Sequence, residues 1–134
     1  MPTVRSETLE LRSGSDVVSV RQAVRTWAVE AGFSLIDQTK IVTAASELAR
    51  NTIDYGGGGV AQLDMLSEGA RRGLRVAFVD QGPGIADIEK ALTDHFTTGN
   101  GLGLGLGGAR RLVNEFDISS RPGEGTRVVI TRWK

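Results

Sequence analysis

The chain has 134 residues, 40% hydrophobic and 24% charged, which suggests one globular domain with an ordinary core. Its 16 basic residues balance its 16 acidic ones, so net charge lends no support to a nucleic-acid or anionic-membrane surface. Cysteine is absent, which excludes disulfides, thiolate catalysis and cysteine–zinc sites. The opening "MPTVRSETLE" lacks a signal-peptide apolar core, and no apolar run nears the roughly 20 residues of a bilayer span. A cytoplasmic protein with neither a nucleic-acid nor a membrane partner is expected.

"ETLEL" reads as a short first strand. From Asp16 the pattern turns helical, with Val17, Val20, Val24, Trp27, Ala28 and Ala31 on one face and Gly32 as a stop. Trp27 reads as core rather than partner surface. Ser34 starts a second helix, and Asp37 three residues on suggests a capping box. Ile41, Ala44, Ala45, Leu48 and Thr52 form its apolar stripe, which "YGGGG" ends. "VAQLDML" and "GLRVAFVD" alternate as strands around the hairpin loop "EGARRG". A short helix is predicted over Asp87 to Leu92 and another over Gly107 to Glu115. "FDISS" and "TRVVITRW" close the chain as strands joined by "RPGEG". Helices alternating with strand pairs predict an α+β sandwich, its helices on one face of a mixed, mostly antiparallel sheet.

Three stretches carry candidate chemistry. In "SELARNTIDYG", Glu47 and Asn51 are four residues apart and share a helix face beside the apolar stripe. Asn51 offers a hard neutral oxygen suited to Mg²⁺ also held by phosphates, and Glu47 can orient or deprotonate a nucleophile. In "VDQGPGI", Asp80 ends a strand and can accept from an exocyclic amine such as adenine's. Gly82 and Gly84 allow a tight turn and the approach of a flat ring, Pro83 stiffens that turn, and Ile85 follows. In "GLGLGL", Gly101, Gly103 and Gly105 alternate with Leu102, Leu104 and Leu106, a loop able to turn N–H groups toward phosphate oxygens. No Gly-Lys-Ser/Thr occurs, so this is not a P-loop. Gly103, Gly105 and Gly108 fit G-x-G-x-x-G, but "TDHFTTGN" before them is a poor strand for a dinucleotide fold.

The order and spacing of these stretches resemble the GHKL ATP-binding superfamily of gyrase, Hsp90, histidine kinases and MutL. "ELARN" looks like its N box, "DQGPGI" its G1 box and "GLGLGL" its G2 box, and "GEGTRVVI" matches its closing strands, where Thr126 would support the adenine-binding Asp. The resemblance covers roughly residues 15 to 134 and implies a Bergerat fold, here one domain over residues 1–134. The only histidine, His95, lies in the linking segment, and Asp54 stands where histidine kinases usually carry Lys or Arg. The chain therefore looks like the anti-sigma-factor group of serine/threonine kinases, and within it the RsbT-type switch kinases of the stressosome. That resemblance implies ATP and Mg²⁺ as cofactors, Glu47 as base and Asn51 as metal ligand. Asp80, Gly82, Gly84, Ile85, Thr126 and the Gly101–Leu106 loop would hold the nucleotide. It implies STAS-domain stressosome proteins as substrate and scaffold, and a PP2C-type phosphatase or other output downstream. The competing class is a non-catalytic ATP-binding module, or an anti-sigma factor that sequesters a partner.

Overall fold

In the computed structural model, which describes residues 3–92 and 105–134, strand β1 spans Thr3–Leu11 and is followed by helices α1 (Gly14–Glu30) and α2 (Leu35–Asp54). A hairpin of β2 (Gly59–Glu68) and β3 (Arg71–Asp80) comes next. The single turn α3 (Ile88–Ala91), the short helix α4 (Leu106–Arg111) and the strands β4 (Glu115–Ser120) and β5 (Thr126–Trp133) complete the described chain. The sheet order is β1-β2-β3-β5-β4. Helices on one face of a sheet were expected and are found. The sheet, expected to be mixed but mostly antiparallel, is antiparallel at every pairing among the described residues.

Local chemistry explains most boundaries. α1 starts two residues earlier than its apolar pattern, because the Asp16 carboxylate accepts the backbone N–H groups of Arg12 at 2.8 Å and Ser13 at 3.2 Å. Ser34 caps α2 as expected, its hydroxyl accepting the Asp37 N–H at 3.1 Å. The Asp37 carboxylate, expected to complete a capping box, instead meets Arg132 of β5 at 2.6 Å. The β2–β3 loop tightens to Gly69 and Ala70, since Glu68 and Arg71 already pair. α4 ends at Arg111 rather than Glu115. The Asn114 N–H donates to the Thr131 carbonyl at 2.9 Å, and Glu115 pairs with Thr131 as the first residue of β4. Strand pairing captures what helix periodicity had claimed.

The core lies between the helices and one sheet face. Val20, Val24 and Trp27 of α1 and Ile41 and Leu48 of α2 meet Leu63, Val76 and Ile130 of the sheet, all nearly or fully excluded from solvent. Each such side chain contributes about 1.5–3 kcal/mol on burial. Trp27 is core, as expected, with the Arg5 guanidinium 4.3 Å above its ring.

The opposite sheet face carries a buried charge. Asp64, 4% exposed, accepts from the Ser6 hydroxyl at 2.6 Å and from Arg75 at 3.0 and 3.2 Å, joining β1, β2 and β3. Burial pushes its carboxyl up, but the hydrogen bonds from Ser6, Arg75 and Gln62 and the Arg75 charge outweigh it and hold the group below its ordinary 3.8. A depressed carboxyl contributes stability that is complete above the unfolded value and is lost as pH falls through the folded one. Asp64→Asn should therefore cost about 1–3 kcal/mol near neutral pH. The gap to wild type should narrow in acid below 3.8, as urea unfolding across that range will measure.

Candidate functional site

The last turns of α2, the end of β3 and the start of β5 converge on a cavity of about 230 Å³. Of the residues singled out in the sequence, Asn51, Asp80, Gly84, Ile85, Leu106 and Thr126 line it. Its remaining walls are largely apolar, with Leu48, Phe78 and Val128 extending the core stripe to the cavity. Three elements thus deliver polar groups to an otherwise apolar hollow, which suits a flat heterocycle with one polar edge.

Register fixes the polar end. Asp80 is the last residue of β3 and stands opposite Thr126, the first of β5, so both side chains leave the sheet on the core face. One Asp80 oxygen accepts the Gly82 N–H at 2.9 Å, which folds the turn back under the carboxylate. Gly82 itself does not line the cavity. Gly84 has φ +76°, and a side chain there would strike the Arg121 carbonyl.

Glu47 precedes Asn51 by one turn of α2, is exposed, and stands outside the cavity lining. Gly105, the N-cap of α4 at φ +69°, rests against it, and a Cβ on Gly105 would come within 2.8 Å of the Glu47 carboxylate. Of the glycine–leucine stretch, Gly105 and Leu106 are described. Gly101, Leu102, Gly103 and Leu104 lie outside the described residues, as does His95. Arg110 and Arg111 are exposed in the last turn of α4.

The sequence reading missed Tyr55 and Gly56, which also line the cavity, and Ser120. The Ser120 hydroxyl accepts the Ile85 N–H at 2.7 Å, donates to the Gly125 carbonyl at 3.0 Å and lies 2.8 Å from the Thr126 hydroxyl. Counting the five-residue "RPGEG" loop outward would have set Ser120 opposite Thr126. Among the described residues, no group of three or more His, Cys, Asp or Glu side chains is placed to hold a metal ion.

The antiparallel sheet covered by helices, with its cavity between α2 and the ends of β3 and β5, goes with a family match: over residues 36–134 the chain belongs to the histidine kinase-, DNA gyrase B- and HSP90-like ATPase family. It is 45% identical over 118 residues to the serine/threonine-protein kinase RsbT of Bacillus subtilis (strain 168), covering 88% of this chain and 89% of that one. This likeness sets it in the serine/threonine-kinase branch of the family. It is 29% identical over 119 residues to the anti-sigma F factor of Thermoanaerobacter sp. (strain X514), covering 84% and 82% of the two chains. The crystal structure of the RsbU and RsbW domains of Rv1364c from Mycobacterium tuberculosis matches at a TM-score of 0.65 and 24% identity, over 98% of this chain and 32% of that one. That likeness is one of fold. No helix among the described residues is long and apolar enough to cross a membrane.

The turn after β3 can be tested by a substitution at Gly84, with Gly57 of the loop after α2 as its reference. Gly57→Ala adds a methyl in open space at φ +76° and should cost about 1 kcal/mol of backbone strain. Gly84→Ala combines the same φ with a collision against Arg121 and should cost about 1–3 kcal/mol more, read as the difference between the two in urea denaturation.

Proposed function

We propose that the chain, as one domain over residues 1–134, is an ATP- and Mg²⁺-dependent kinase that phosphorylates Ser or Thr on STAS-domain stressosome scaffold proteins. Once released, it activates a PP2C-type phosphatase or another output. The observation that carries this reading is the apolar cavity closed at one end by Asp80 and Thr126, with Asn51 lining it and Glu47 one helical turn away. Its likeness to a serine/threonine-protein kinase over most of both chains supports it further.

The residues fit the cofactor. An adenine ring suits the apolar walls, and its amine suits the Asp80 carboxylate. The turn that carries Gly82, Gly84 and Ile85 packs backbone on backbone beside the cavity: a Cβ on Gly82 would come within 2.7 Å of Gly56. The Asn51 amide oxygen is a suitable ligand for a cation shared with phosphates. When bound, Mg²⁺-ATP supplies the transferable phosphoryl group and the charge that offsets it. Glu47 orients the incoming hydroxyl and accepts its proton. Such transfer depends on positioning more than on covalent chemistry by the protein.

Three substitutions separate these roles. Asp80→Asn should weaken ATP binding by about 10–100-fold in calorimetry, through loss of a charge-assisted acceptor. Asn51→Ala should remove the Mg²⁺ dependence of that binding. Glu47→Ala should keep ATP affinity and abolish transfer. The deciding experiment is intact-mass spectrometry of STAS-domain proteins from the same genome, incubated with the chain and Mg²⁺-ATP. A gain of one phosphate, lost with Glu47→Ala, is expected. ATP binding without transfer to any of several STAS proteins would favour the second reading, a partner-sequestering module. The likeness to an anti-sigma F factor motivates that alternative.

A further inference from the structure

Asp80, Thr126 and Ser120 form one row across three strands, Asp80 opposite Thr126 and Thr126 opposite Ser120. The first two line the cavity, and Ser120 stands behind them. Ser120 has one hydroxyl proton and three partners. The Ile85 N–H, 2.7 Å away, can only donate. The Gly125 carbonyl, 3.0 Å away in a buried residue, can only accept, so it takes the Ser120 proton. The 2.8 Å contact between Ser120 and Thr126 then needs the Thr126 proton. Thr126 donates away from the cavity, and only its lone pairs face inward.

We infer that Ser120, by committing the Thr126 proton, makes the polar end of the cavity an acceptor-only wall that selects a 6-amino purine over a 6-oxo purine. The inference rests on the nucleotide-binding reading above and assigns the base selectivity of that site to a residue outside it. Asp80 and Thr126 present acceptors side by side. A 6-amino purine brings two exocyclic protons to them, whereas a 6-oxo purine sets an acceptor against them there and has only its N1–H to give. Ser120 touches no ligand in this scheme; it is a positioning residue that acts through Thr126.

The test compares the binding of ATP and inosine triphosphate, which differ at the purine 6-position and, with it, in whether N1 accepts or donates. Wild-type protein should prefer ATP. Ser120→Ala frees the Thr126 hydroxyl to turn its proton inward, and the ATP preference should fall about tenfold, the worth of one hydrogen bond. In a Thr126→Val background the same substitution should change the preference less than about twofold, because no hydroxyl remains to turn. Ser120→Thr, which keeps the hydroxyl, should restore the preference. Ser120 also anchors Ile85, so Ser120→Ala could weaken both nucleotides; only their ratio reports selectivity. If Ser120→Ala does not fold, Ser120→Cys keeps the volume with a weaker hydrogen-bonding group and is read the same way. A preference unchanged by Ser120→Ala while ATP still binds overturns this inference alone. Wild-type protein that binds neither nucleotide overturns the nucleotide reading and this inference with it.

Discussion

Two stretches of glycine backbone close on Asp80, and the site depends on that. A Cβ on Gly56 would strike the Asp80 carboxyl, and one on Gly125 would strike the Asp80 carbonyl. The loop after α2 and the loop before β5 therefore close on the end of β3 from two sides. Neither approach is open to any other residue without moving the carboxylate, at Gly56, or the strand end that carries it, at Gly125. Each glycine costs folding about 0.5–1 kcal/mol in chain entropy, a sum the buried helix–sheet core can offset. In return one carboxylate is held at the end of an apolar cavity, with one oxygen bound to the turn beneath it.

The helices that bring the other groups are set from the far end. α2 is 20 residues, about 30 Å long, with Asn51 near its C-terminus. Its first turn is tied to Arg132 of β5 through Asp37 at 2.6 Å, and Arg132 also donates to the Leu112 carbonyl at the end of α4 at 2.9 Å. One arginine of the last strand thus positions both the helix that carries Asn51 and the helix that carries Leu106. The hydrogen bond from Arg132 is also the main reason the Asp37 carboxyl stays below its usual range.

Features that repeat were legible in the sequence, and features set by a single long-range pairing were not. The α2 stripe from Ile41 to Leu48 and the alternation of Leu74, Val76 and Phe78 are periodic, and they are core. β1 extends back to Thr3 rather than Glu7. Its early residues are exposed on both faces, so no alternation marks them, and pairing with β2 alone makes them a strand. α1 begins at Gly14 because Asp16 accepts two amides, the kind of signal recognised at Ser34 and overlooked at Ser13. In the site, Asn51, Asp80 and Thr126 stood out because each sits in a spaced motif. Tyr55 and Gly56 reach the cavity only through where the loop after α2 lands. Ser120 required the register of β4 on β5, which the five-residue "RPGEG" loop implies but no motif marks.

Glu47 and Asn51 share a helix face but not an environment, and the difference suits a protein acceptor. Asn51 lines the cavity; Glu47, one turn back, is exposed beside it. A base buried among apolar walls would be desolvated and out of reach of a hydroxyl carried on another folded domain. At the edge it is open to such a chain, and Gly105 stands against it with no Cβ to intervene. Because Gly105 also caps α4, the start of that helix and the proposed base lie side by side. A side chain at Gly105 would fall within 2.8 Å of the Glu47 carboxylate, so the space that leaves this group open to an acceptor depends on the glycine.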